Sequence, residues 1–108
     1  MEEVDYKVAI TALLNEDYDR TERTRLANQI ADGICEGYKN EIDYLQEKYG
    51  DGQEERLENV IRNGLVHVTY MPDRPLTDSE RMIAAEVLAT VITTVEALEV
   101  LRVKGVAR

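Results

Sequence analysis

The sequence predicts an all-α fold, a small bundle of about four helices with a long C-terminal helix, forming a single helical domain over residues 1–108. Three observations support this prediction. Apolar residues recur every three or four positions through most of the chain, as on one face of an α-helix. Capping signals and glycines divide the chain into segments of helical length. The hydrophobic fraction of 44% is enough for one core in a chain of 108 residues.

The first segment, residues 3–14, has a mixed pattern. Val4, Tyr6 and Val8 alternate as in a β-strand, whereas Tyr6 and Ile10 also repeat at helical spacing. Acidic residues at the start suit the positive end of a helix dipole, and a lone strand would have no partner elsewhere in the chain. We therefore expect a helix here, with a strand as the alternative.

The second segment opens with Asp19-Arg-Thr-Glu22, a variant of the capping box. These features predict one helix from about residue 20 to 49. Gly33 and Gly37 inside it each cost about 1 kcal/mol relative to alanine, so we expect a close helix crossing or a kink there. One arc of the helix carries its apolar residues, namely Ala27, Ile30, Ala31, Ile34, Tyr38, Ile42, Leu45 and Tyr49.

The third segment follows a glycine and has Glu54 and Glu55 in its first turn. Its apolar residues share one helical face until Pro72, which predicts a helix over 53–68. Because this pattern fades into β-branched residues, an extended conformation over 65–71 is the alternative.

The fourth segment has the strongest helix signals. Thr77-Asp-Ser-Glu80 is a full capping box. Arg102 and Lys104 lie in the last turn and Gly105 follows, the order that a helix dipole and a C-terminal cap favour. The segment predicts a helix over 78–103.

This last helix is apolar over most of its circumference. One seam at 3-4 spacing consists of Ala84, Val87, Val91, Thr94, Leu98 and Leu101, and a second consists of Ala85, Leu88, Ile92 and Val95. Three short helices can cover one side well, so we expect the second seam to form a two-fold homodimer interface. The alternative is a central helix that the other three wrap completely.

The helix predicted at 20–49 carries the candidate partner-binding surface. Gly33, Gly37 and Tyr44 share one edge, which predicts a docking groove for a protein partner, with intramolecular packing as the alternative. The chain has six Tyr and no Phe or Trp, and tyrosine suits surfaces that exchange water for a partner. The polar side of the same helix carries spaced carboxylates at Asp32, Glu36, Asp43 and Glu47.

The composition excludes several kinds of site. Cys35 and His67 are the one cysteine and the one histidine, so a disulfide framework and a structural zinc site are excluded. As a nucleophile and base this pair has little support, because a small thiol on an apolar arc is an ordinary core residue. No glycine-rich phosphate loop or metal-binding histidine pair is present. We therefore predict a non-enzymatic protein that holds no cofactor and no metal.

The net charge of −9 comes from 22 acidic and 13 basic side chains. It argues against direct binding to nucleic acid or to an anionic membrane, since both need clustered Lys and Arg. The basic cluster, Arg20, Arg23 and Arg25, lies among acids and predicts a salt-bridged first turn.

The most apolar stretch, 82–95, is shorter than the roughly 20 residues of a membrane span. An acidic N-terminus without a leader pattern and a lone thiol predict a cytoplasmic protein.

Glu54-Glu55-x-x-Glu58 resembles the acidic pairs that hold magnesium in all-helical nucleotide pyrophosphatases of the MazG type. The resemblance implies carboxylates one turn apart that chelate a hard cation and its substrate phosphates. That family also has a Glu-x-x-Asp pair on a second helix. Here this spacing occurs only at Glu2/Asp5 and Glu16/Asp19, outside any helix with a buried pattern. Solvated charges at a helix N-terminus are the alternative that these positions favour.

Three classes of function follow. The first is a non-enzymatic interaction module, an acidic homodimer that docks on another protein. The second is a phage-type inhibitory protein whose carboxylates imitate the phosphates of nucleic acid. The third is the magnesium-dependent enzyme that the resemblance implies. We favour the first, because the apolar excess of the last helix and the tyrosine content both predict protein contacts.

Overall fold

The computed structural model describes residues 4–105, and within them the chain is all-helical with no strand. Five α-helices replace the four that were predicted. They are α1 (Tyr6–Asn15), α2 (Arg20–Gly37), α3 (Lys39–Tyr49), α4 (Gln53–Val66) and α5 (Asp78–Lys104), with a 3-10 helix (His67–Tyr70) after α4. Position 3 of the predicted first helix lies outside the described residues.

The first segment is a helix, as predicted, and not a strand. Asp5 caps α1, since its carboxylate accepts hydrogen bonds from the backbone N–H of Lys7 at 3.1 Å and of Val8 at 3.3 Å. Ile10 and Leu13, one turn apart, are fully buried in the core. A local capping group and helical spacing therefore outweigh the strand-like alternation at the N-terminus.

The predicted single helix over 20–49 is wrong, because the chain breaks at Tyr38 into α2 and α3. Tyr38 has φ −109° and ψ 22°, outside the usual α-helical values. Arg102 in the last turn of α5 donates to the carbonyl of Gly37 at the break and forms an ion pair with Glu41 in the first turn of α3. The break directly after Gly37 agrees with the kink that the two glycines led us to expect, and Arg102, a side chain distant in sequence, contacts both sides of it.

The predicted helix over 53–68 ends two residues early, at Val66, and continues as the 3-10 helix. The extended alternative for 65–71 is therefore wrong over most of its length. Helices α4 and α5 approach each other closely at Gly64. A Cβ at this position would lie only 2.3 Å from Cγ2 of Val91. The crossing of these two helices depends on that missing methyl group.

The fourth predicted helix is confirmed as α5. Both hydrogen bonds of the capping box are present, between the hydroxyl of Thr77 and the N–H of Glu80 and between the carboxylate of Glu80 and the N–H of Thr77. The side chain of Arg74 also bonds Glu80, and these bonds lower the pKa of Glu80 to about 2. Gly105 ends the helix with φ +68°, a conformation that favours glycine.

One hydrophobic cluster draws on all five α-helices and on the 3-10 helix. Helix α5 packs against both α1 and α4, and α2 packs against α1, α4 and the 3-10 helix. No helix within residues 4–105 has the length and the apolar character to cross a membrane.

Candidate functional site

The solvent-facing side of α5 carries a continuous strip of exposed residues, here called the outer strip. At 100° per residue its members fall within an arc of about 80° and follow 3-4 spacing along the helix. Met82 is 71% exposed, Val100 51% and Val103 78%, so large apolar side chains stand in water at both ends. The outer strip consists of Met82, Ala85, Ala89, Thr93, Glu96, Val100 and Val103.

The middle of the outer strip consists of the small residues Ala89 and Thr93 followed by Glu96. The hydroxyl of Thr93 donates to the carbonyl of Ala89 at 2.9 Å within the same helix, so this hydroxyl needs no partner on a neighbouring molecule. Glu96 is the one charged member, and it has no ion-pair partner within residues 4–105. The strip therefore combines apolar ends with a narrow centre at which a second helix can approach closely.

A groove of about 570 Å³ lies between the start of α1 and the C-terminal half of α5. Its apolar walls come from Val4, Tyr6, Val95, Val100 and Val103. Val4, at 56% exposure, extends the apolar surface from α5 onto the chain that leads into α1. The groove and the outer strip share Val100 and Val103, so they form one continuous surface.

A polar cluster borders this groove and joins α5 to the break between α2 and α3. The hydroxyl of Tyr38 donates to Oε2 of Glu99 at 2.7 Å. The guanidinium carbon of Arg102 lies 4.1 Å from the centre of the Tyr38 ring, and its Nη2 lies 2.9 Å from Oε1 of Glu41. Because Glu41 is almost fully buried, these bonds compensate for its desolvation and hold the groove wall in place.

The predicted docking groove at Gly33 and Gly37 is wrong, because a residue of the same chain fills it. Tyr6 of α1 packs on both glycines, and a Cβ on Gly33 would lie 2.9 Å from its hydroxyl oxygen. Tyr44, the third predicted member of that edge, is half-buried. The glycines therefore serve a close crossing of α1 and α2, which was the alternative interpretation.

The four predicted carboxylates are exposed but do not lie on one helix. Asp32 and Glu36 belong to α2, whereas Asp43 and Glu47 belong to α3. Asp32 pairs with Arg62 at 2.8 Å, and Asp43 pairs with Lys39 at 3.3 Å. Half of the predicted anionic face is therefore neutralised by neighbouring cations, and Glu36 and Glu47 are left without an ion pair among the described residues.

The predicted dimer seam lies mostly inside the molecule. Leu88 and Val95 are buried in the same cluster as Ile10 and Leu13 of α1, and α1 packs against α5. Of the other two members, Ile92 is half-buried against the core and Ala85 is exposed. The solvent-facing outer strip is thus rotated by about 80° around α5 from the predicted seam.

Arg23 is a buried charge that the sequence did not reveal, and a salt-bridged first turn is the wrong account of it. Its guanidinium donates to the backbone carbonyls of Val68 at 3.0 Å, Arg74 at 2.9 Å and Pro72, with a longer contact to Tyr18. No carboxylate accepts a hydrogen bond from it within residues 4–105. The side chain holds the loop between the 3-10 helix and α5 against α2.

Arg20 makes a second connection to the same loop. Its backbone N–H donates to the carboxylate of Asp73 at 2.9 Å, and its Nε donates to the carbonyl of Met71 at 3.1 Å. Burial, with repulsion from Arg20 as a smaller cause, lowers the pKa of Arg23 from its ordinary value, although a guanidinium remains charged at neutral pH. Of the basic cluster, Arg25 does form the expected ion pair, at 2.6 Å from Glu22.

The candidate catalytic residues gain no support from their surroundings. Burial raises the pKa of the Cys35 thiol above its ordinary value, whereas a nucleophilic cysteine needs a lowered pKa. Glu54 and Glu55 lie in the first turn of α4, where the helix dipole stabilises them. No group of three or more metal-ligating side chains occurs in the described part of the chain.

Comparison of the chain with protein families, with curated proteins and with solved structures yields no match. The functional interpretation therefore depends on the surface of α5 and on the distribution of charge.

Proposed function

We propose that this protein is a non-enzymatic protein–protein interaction module that self-associates through α5 and presents an acidic surface to a second protein. The observation that carries the proposal is the outer strip, which leaves Met82, Val100 and Val103 in water along a helix of 27 residues. Contiguous exposed apolar surface of this kind is typical of interaction sites.

Burial of these side chains supplies the driving force. Full burial of one exposed large apolar side chain contributes about 1.5–3 kcal/mol before the cost of association is subtracted. The groove beside α1 adds Val4 and Tyr6 to the same apolar surface. Self-association therefore has a site that the monomer leaves open, and it differs from the buried seam at Leu88 and Val95.

The acidic surface supports the second part of the proposal. The chain has a net charge of −9, and Glu36 and Glu47 are exposed on α2 and α3 without ion pairs within residues 4–105. A protein with a basic surface complements this charge, and its association is faster at low ionic strength.

The self-association is tested by one substitution made at two positions. Ala89→Glu places a charge in the centre of the outer strip, whereas Ala97→Glu places the same charge on an exposed part of α5 about 80° away. In sedimentation equilibrium we expect wild type and Ala97→Glu to dimerise and Ala89→Glu to remain monomeric. All three should give the same helical circular dichroism. A wild-type chain that stays monomeric at high micromolar concentration contradicts the proposal.

A further inference from the structure

We infer that two copies pair antiparallel along the outer strip, about a two-fold axis that passes beside Thr93. The inference rests on the self-association proposed above and names its register. The occupant of the strip is thus a second copy of this chain, and the strip is complementary to itself.

The register follows from the order of residues along α5. In an antiparallel pair centred between Ile92 and Thr93, Met82 lies opposite Val103 of the second copy, and Ala85 lies opposite Val100 of the second copy. All four side chains are apolar and exposed in the single chain. At the centre Thr93 lies beside its own counterpart, with its hydroxyl already bonded inside its helix. Both apolar ends of each strip are covered at once.

The charge of Glu96 favours the antiparallel arrangement over a parallel one. In a parallel pair Glu96 would lie against Glu96 of the second copy, and like charges at such a contact repel each other. In the antiparallel register Glu96 lies opposite Ala89 of the second copy, whose small side chain leaves the carboxylate a path to water. Antiparallel α5 helices also align their dipoles favourably.

The groove beside α1 fits the end of the same arrangement. It lies at the C-terminal end of α5, where Val4, Val100 and Val103 belong to its apolar side. The charged residues that also line it are Asp5, Lys7, Glu96, Glu99 and Lys104. The register brings Met82 of the second copy to this end. Methionine is flexible and fills irregular apolar spaces, so we place the Met82 side chain of each copy against the valines of the other copy's groove. The two-fold symmetry then fills both grooves.

Cysteine crosslinking in the 108-residue chain tests the register. In the antiparallel pair, position 85 adjoins position 100 of the second copy, whereas the two positions 85 lie about 22 Å apart along the helix axis. We expect a mixture of Ala85→Cys and Val100→Cys chains to give, under mild oxidation, about tenfold more disulfide-linked dimer than Ala85→Cys chains alone. The native Cys35 is buried, so we expect the wild type to form almost no disulfide-linked dimer.

The outcomes separate this inference from the proposal on which it rests. Efficient linkage of Ala85→Cys to itself would indicate parallel pairing and overturn the register. A dimer in sedimentation that gives no linkage in the mixed sample would keep the self-association but move it to another surface, which also overturns the register. A wild-type chain that stays monomeric in sedimentation would contradict both the self-association and the register. Thr90→Cys, exposed on α5 outside the outer strip, is the matched control and should link no better than wild type.

Discussion

Arg23 is a residue whose role comes entirely from its surroundings. In the sequence it is one of three arginines among acids at the start of a helix. In the structure it is fully buried and donates to three carbonyls of the segment that joins α4 to α5. The carbonyl of Pro72 also accepts from the backbone N–H of Arg74, so the carbonyls of Val68 and Arg74 depend more on the guanidinium. Each unsatisfied buried polar group costs about 1–3 kcal/mol. The guanidinium thus replaces the regular hydrogen bonds that the loop lacks.

Replacement of Arg23 should therefore destabilise the fold strongly. We expect Arg23→Met to lower the free energy of unfolding by about 2–5 kcal/mol, because the carbonyls of Val68 and Arg74 lose their donors. Arg23→Lys should recover part of the loss, since an ammonium cannot reach all these oxygens at once. Urea unfolding gives the free energy of unfolding of both variants and of the wild type.

Arg25 provides the matched control for this prediction. It is exposed and pairs only with Glu22, and surface pairs of this kind contribute little to stability because water screens them. We expect Arg25→Met to unfold at nearly the same urea concentration as the wild type. Equal losses in the variants at positions 23 and 25 would contradict the role given to the buried arginine.

At the scale of elements, three glycines inside helices lie at close crossings or at a break. Gly33 and Gly37 face Tyr6 of α1, and Gly64 faces Val91 of α5. The distances differ, from 2.3 Å at Gly64 for an added Cβ to 3.4 Å at Gly37. The intrinsic preference of a helix for alanine therefore competes with packing to a different extent at each position.

Two Gly→Ala substitutions should consequently have opposite effects. Gly64→Ala forces Val91 to move, and Val91 is fully buried. We therefore expect this substitution to lower the free energy of unfolding by about 1–3 kcal/mol. Gly37→Ala meets only an ordinary van der Waals contact and gains helix propensity, so it should be neutral or stabilising by up to about 1 kcal/mol. The melting temperatures of the two variants, compared with that of the wild type, test this prediction. A destabilisation at Gly37 as large as that at Gly64 would contradict the distances.

For the whole molecule, the decisive feature is how α5 divides its apolar surface. One part, including Leu88 and Val95, is covered by the other helices of the same chain. Another part, at Met82, Val100 and Val103, remains in water. A small domain can enclose only a fraction of its apolar surface. Among the described residues, α5 carries four of the large exposed apolar side chains, and the others lie before or on α1, at the end of α3 and in the 3-10 helix.

This division predicts that stability depends on protein concentration. If the outer strip joins two copies, dimer formation stabilises the folded state by mass action. We expect the melting temperature of the wild type to rise by about 3–5 °C for each tenfold increase in concentration. The Ala89→Glu variant should melt at one temperature throughout. Differential scanning calorimetry over a hundredfold range provides the measurement, and a wild-type melting temperature that does not change would argue against the dimer.

Features with local causes could be predicted from the sequence. The caps Asp19 and Thr77 and the terminal Gly105 act through hydrogen bonds and dihedral angles within one turn. They identify the start of α2 and both ends of α5, and helical spacing identifies the all-α class. The candidate surface was predicted only in part. The sequence indicated α5 as the apolar helix, and of the four seam residues only Ala85 belongs to the outer strip.

The remaining features depend on contacts between residues distant in sequence. Arg102 donates to the carbonyl of Gly37 at the point where α2 ends, within a segment that was predicted as one helix. Tyr6 fills the glycine edge that was expected to receive a partner. A helical pattern shows how much apolar surface a helix has, but it does not show which neighbour covers which side. By itself the sequence determined the all-helical class, the start of α2 and the limits of α5, because capping and helical spacing act over one or two turns. Only the tertiary structure decided which face of α5 remains open, because that depends on where α1 and α4 pack.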